Sequence, residues 1–90
     1  MDRLTITIIG QDLFKIVEQK LISLELTEAN EVNHSMLGNL KMLTYSYDLE
    51  ECEIIRIRTS LLRMIGEDHC RLMAFFQAGN WMRIVIMRPI

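Results

Sequence analysis

Residues 31–47, EVNHSMLGNLKMLTYSY, place a Gly-Asn pair, Gly38-Asn39, between two runs in which side-chain character alternates. A two-residue connection of this composition is the signature of a tight β-hairpin, because glycine supplies the positive φ that such turns require. The turn also sets the register. With Leu37 opposite Leu40, Val32, His34 and Met36 share a face with Leu43, Tyr45 and Tyr47, while Glu31, Asn33 and Ser35 share the other with Met42, Thr44 and Ser46. The first face is expected to pack inward and the second to be mostly wet. A second pair, Gly79-Asn80, lies inside residues 70–88 and predicts a second hairpin with Ala78 opposite Trp81.

Upstream of the first hairpin, Leu4, Ile6 and Ile8 alternate with Thr5, Thr7 and Ile9, a β-branched pattern of period two that predicts a strand ending at Gly10. Asp12 is then placed to cap a helix. Phe14, Val17, Leu21 and Leu24, widened by Leu13, Ile16 and Ile22, give that helix a broad apolar stripe ending near Glu25. Between the hairpins, Asp48 with Glu51 three residues on has capping-box spacing, which predicts a second helix from Leu49, its dipole complemented by Glu50, Glu51 and Glu53. Cys52, Ile55, Leu62 and Ile65, with Ile54, Leu61 and Ile57, form its expected apolar side, and Gly66 is placed to end it.

The resulting order, β-α-β-β-α-β-β, predicts one α+β domain over residues 1–90: a ferredoxin-like sandwich with an added C-terminal strand, its antiparallel sheet carrying two helices on one face. The second hairpin differs from the first. Leu72, Ala74, Phe76, Trp81, Val85 and Met87 fall on one face and Met73, Phe75, Met82, Ile84 and Ile86 on the other, so both faces are apolar. An antiparallel sheet with one face in water alternates instead. The expected consequence is a homodimer, with Phe75, Phe76, Trp81, Met82, Ile84 and Ile86 as interface residues.

Composition bounds the rest. Half of the 90 residues are apolar, enough for a modest core without disulfide or metal. No apolar run reaches the roughly 18 residues that cross a bilayer, and Met1-Asp2-Arg3-Leu4 lacks the pattern of a secretory leader. A cytoplasmic protein is expected. Cys52 and Cys70 form no CxxC pair and are expected as buried thiols; with His34 and His69 they offer no ligand pair at finger-like spacing, so neither metal nor cofactor is expected. His34 is expected to be a partly buried structural residue. The sequence contains neither GxSxG nor a glycine-rich phosphate loop, and no catalytic residue is assigned.

Charge is nearly balanced overall, at −2, yet acids dominate up to Ile55 and arginines from Arg56 onward. Such polarity fits either an anionic partner or pairing between the two halves. An RNA-recognition module shares this strand order and stacks bases on central-strand aromatics. Lys41, Leu43, Tyr45 and Tyr47 lie in the relevant region, but the first strand offers Thr5 and Thr7 where an aromatic is wanted. Arg56 and Arg63 share a helical face, and Glu67 lies four residues beyond Arg63 as a local partner. Nucleic-acid binding is therefore the alternative, not the expectation.

The stretch Ile6-Thr7-Ile8-Ile9-Gly10-Gln11-Asp12, followed by Ile16-Val17, resembles the opening of an ACT domain, a small regulatory module. The resemblance implies an amino-acid or similar ligand held near Gly10, Gln11 and Asp12 at a dimer interface. Lys15 stands where that family usually has a glycine that admits the ligand. Read from the residues alone, Gly10 is a sharp turn and Asp12 a helix cap. The functional expectation is a non-catalytic regulatory or protein-interaction domain that self-associates through its C-terminal hairpin.

Overall fold

The alternation at the start of the chain forms strand β1 (Asp2–Ile9), with Leu4, Ile6 and Ile8 all fully buried on one side. The computed structural model describes residues 2–67 and 71–87, and the side chains of 2–63 and 77–87. Gly10 follows with φ 110, a conformation open to glycine, and its N–H donates to the Lys41 carbonyl at 2.9 Å. Helix α1 (Gln11–Ser23) starts there. Asp12 therefore lies within the first turn instead of capping it, and no side chain caps this end. Leu13, Val17 and Leu21 are its buried stripe, with Phe14, Ile16 and Leu24 packed at the margin.

The end of α1 is closed by a reversal normally made with glycine. Glu25 adopts φ 65, its N–H donating to the Ile22 carbonyl and that of Leu26 to the Leu21 carbonyl, so Leu26 folds back onto the buried Leu21. An L-residue with a Cβ is strained there. Glu25→Gly should raise the unfolding free energy by about 1 kcal/mol, read as a higher urea midpoint at unchanged slope.

Strands β2 (Glu31–Leu37) and β3 (Leu40–Leu49) pair with Leu37 opposite Leu40, the register that the turn predicts. Gly38 has φ 62 and Gly79 φ 58, whereas neither asparagine has positive φ, which is the pattern of a type II′ turn with glycine first. β3 runs two residues beyond the expected end. Asp48 belongs to the strand, where its carboxylate accepts from Arg3 at 3.3 Å and its N–H donates to the Asn30 side chain at 2.9 Å. The expected capping box is thus not formed. Glu50 instead accepts the first helical bonds from the N–H groups of Glu53 and Ile54.

Helix α2 (Glu51–Glu67) continues past Gly66, which does not terminate it. Its buried stripe is Ile54, Ile57 and Leu61, all on the expected apolar side; Cys52, Ile55 and Leu62 of that side point to solvent instead, so Cys52 is not the buried thiol expected, and the side chain of Ile65 lies outside the described residues. Cys70 lies outside the described residues.

Strands β4 (Arg71–Ala78) and β5 (Trp81–Met87) make the second hairpin with Ala78 opposite Trp81. A register shift between Leu72 and Ala74 then sets Leu72 opposite Ile86, so the simple alternation expected along β4 fails before its start. The five strands form one sheet in the order β2-β3-β1-β5-β4. The α+β class with two helices holds, but the sheet is mixed, not antiparallel: β5 lies parallel to β1 and takes the place beside it, leaving β4 at the edge. In the ferredoxin-like order the strand that follows α2 would occupy that place. Both helices contribute to one cluster with Leu4, Ile6, Ile8, Leu43, Tyr47, Met82, Ile84 and Ile86, so the core lies on a single face of the sheet.

Candidate functional site

On the face away from the helices, β1 presents Thr5 and Thr7, bracketed by Ser46 and Thr44 of β3 and by Arg83 and Val85 of β5. Hydroxyl pairs tie the strands together: Thr5 to Ser46 at 3.5 Å and Thr7 to Thr44 at 3.3 Å. The Trp81 indole N–H donates to Thr5 Oγ1 at 3.3 Å, and the Arg83 guanidinium lies 5.1 Å from the Trp81 ring centroid. These contacts bury Thr5, Thr7 and Ser46 on a face that no helix covers. The centre of this face is a set of hydroxyls paired with one another.

The residues expected at an interface separate here. Met82, Ile84 and Ile86 project toward the helices and are buried in the chain's own core, so they are not open to a partner. Trp81 lies on the opposite face, half-buried by Thr5 and Arg83. The side chains of Phe75 and Phe76 lie outside the described residues. β5 lies between β1 and β4, and its residues on the face away from the helices, Trp81, Val85 and Met87, are each partly buried there.

Gly10, Gln11 and Asp12 come together at the start of α1, with Gln11 and Asp12 exposed and the Gly10 amide committed to Lys41. Lys15, on the first turn beyond, is exposed as well. Tyr45 and Tyr47 point to the helix side, not to the open face where a base would stack. Tyr47 is buried and donates from its hydroxyl to the Leu26 carbonyl at 3.1 Å. Burial, and then the neighbouring Tyr45, push its phenol up to about 12. Tyr45 is raised by burial and then by Glu18. Arg56 is paired with Glu53 at 2.7 Å, which holds its guanidinium pKa above the ordinary value.

The surface that sequence reasoning missed is at the other end of the sheet. β2 is an edge strand, and every one of its residues is exposed, including the three expected to face inward. Val32 is 50% open and Met36 56%; at the hairpin tip Leu37 is 52% open and Leu40 44%. His34 is exposed too, correcting its expected partial burial. Counting would have found this. A helix is about 10 Å wide with its side chains and strands lie about 4.8 Å apart, so two helices cover roughly four strands. The fifth goes bare.

Between α1 and the helix side of β2 runs a groove of about 310 Å³, lined by Phe14, His34, Ser35, Met36, Lys41 and Met42. A smaller cleft of about 180 Å³ at the second hairpin's turn is bordered by Asp2, Glu51, Arg58, Asn80 and Trp81. Among the described residues no three His, Cys, Asp or Glu side chains are grouped to hold a metal ion, and no helix is long and apolar enough to cross a membrane. The chain matches no protein-family model, and no curated protein or solved structure is significantly similar to it.

Proposed function

We propose that this chain is a non-catalytic interaction domain that works by self-association, meeting a second copy along the β2 side of its sheet. The observation that carries this reading is the half-exposed apolar set of Val32, Met36 and Leu37 on the edge strand, with Leu40 beside them at the hairpin tip, none of them buried by a helix. Apolar side chains gathered on one rim, beside unpaired strand hydrogen-bonding groups, are a surface that isolated domains normally blunt with lysine, proline or a bulge. β2 contains neither lysine nor proline, and its pairing with β3 is unbroken. The exposed free thiol of Cys52 suits a reducing compartment such as the cytoplasm.

Sedimentation velocity at about 10–100 µM, a range suited to micromolar affinity, should show a dimer. Met36→Glu should weaken it by at least about tenfold while leaving the thermal midpoint of the monomer nearly unchanged, because Met36 is already open to water. A wild-type chain that sediments as a monomer throughout that range overturns the proposal.

A further inference from the structure

The Lys41 carbonyl is turned toward β1, since it accepts the Gly10 N–H at 2.9 Å. Its partner Met36 is therefore a non-hydrogen-bonded pair in the β2–β3 ladder, and the main-chain groups of Met36 point away from β3. The alternation carries this to His34 and Val32. The same three residues that set their side chains on the helix side thus direct their N–H and C=O groups out along the open edge.

Resting on the self-association proposed above, we infer that two copies join β2 to β2 in antiparallel register about a twofold axis at His34, and that protonation of His34 releases them. The strand is self-complementary about that residue. Val32 then faces Met36 of the second copy, apolar against apolar on the helix side, and Asn33 faces Ser35 of the second copy, polar against polar on the open side. The outward groups of Val32, His34 and Met36 close roughly six main-chain hydrogen bonds. Moving the axis to Asn33 or Ser35 sets one of those three residues opposite Asn30 or Gly38, outside the strand. No charge stands between Val32 and Leu37 when the imidazole is neutral, so nothing in this stretch repels its own copy.

On the axis, His34 of each copy stands beside its equivalent, at the roughly 5.5 Å Cα separation of a hydrogen-bonded antiparallel pair. Its other neighbours do not compensate a positive charge. Leu43 lies opposite it, and Lys41, a cation, shares its groove with Phe14. Tyr45 pairs with Val32, and Glu18 of α1 acts on Tyr45, while Lys15 of the same helix is a further exposed cation. Two imidazolium ions and the two copies of Lys41 are then gathered along one apolar rim.

The test combines register and pH. In a Cys52→Ser, Cys70→Ser background, His34→Cys should form a disulfide-linked dimer on mild oxidation, Val32→Cys alone should not, and a mixture of Val32→Cys and Met36→Cys chains should give the crossed dimer. The wild-type dissociation constant should rise about tenfold from about pH 7.5 to about pH 5.5, and His34→Gln should remove that rise while still dimerising. A dimer that fails to give these crosslinks, or whose affinity is the same at both pH values, overturns this inference and leaves the self-association standing. A monomeric wild type overturns both.

Discussion

Ile6→Ala should lower the unfolding free energy by about 3–4 kcal/mol, near the middle of the range for deleting a buried branched side chain. Ile6 is fully buried at the middle of the central strand, opposite Tyr45 of β3 and Ile84 of β5. The cost of such a deletion depends on whether neighbours collapse into the space. Here they are held: hydrogen-bonded strands fix both sides, and the buried stripes of α1 and α2 close the same cluster. A domain of this size has a total stability of about 5–15 kcal/mol, so the variant should lose at least about a fifth of it. Urea unfolding at one fixed protein concentration, which keeps association from contributing differently, measures the shift in midpoint. Val32→Ala, half-open at the edge, is the control and should cost under about 0.5 kcal/mol. Equal losses at the two sites would mean that β1 is not the centre of the core.

Much of this architecture is legible in the sequence wherever a local rule has no competitor. Gly38-Asn39 and Gly79-Asn80 fix two hairpins and their first registers, because only glycine easily takes the positive φ of the first turn position. Leu4, Ile6 and Ile8 identify the central strand by alternation alone. The capping box failed because Asp48 had two uses, and Arg3, brought beside it by the β1–β3 pairing, claims it. The buried side of α2 was ambiguous for a different reason. Ile54, Ile55, Ile57, Leu61 and Leu62 ring more than one side of the helix, and only the position of the sheet selects Ile54, Ile57 and Leu61.

Strand order is the least local property and the one from which the candidate site depends. Two apolar faces on the second hairpin suggested an interface; one of them, Met82, Ile84 and Ile86, is core, because β5 lies inside the sheet beside β1. With β5 inserted there the sheet has five strands under two helices, and among the described side chains it is those of β2 that are left uncovered. Alternation in β2 correctly separated its two faces, but alternation reports which side a residue is on, not whether anything lies over it.

Alkaline unfolding should begin above about pH 10 and be governed largely by Tyr47. Burial holds its phenol protonated, pushing the pKa up to about 12, and the hydroxyl donates to the Leu26 carbonyl at 3.1 Å, pinning the turn after α1 to β3. A tyrosine in the unfolded chain titrates near 10, so the folded state binds the proton more tightly. The stabilisation is therefore fully present below about pH 10 and is lost as pH rises toward about 12, a loss of about 2–3 kcal/mol. Tyr47→Phe removes the hydroxyl and with it about 1 kcal/mol at neutral pH, but it leaves no group at that position to ionise. The stabilities of wild type and variant should consequently cross: wild type higher at pH 7, variant higher near pH 12. The chain has only two tyrosines, so phenolate absorbance followed alongside circular dichroism separates ionisation of Tyr45 from that of Tyr47 when the variant is compared. An alkaline limb unchanged by Tyr47→Phe would move the sensitivity to Tyr45, whose phenol is raised by its own burial and by Glu18.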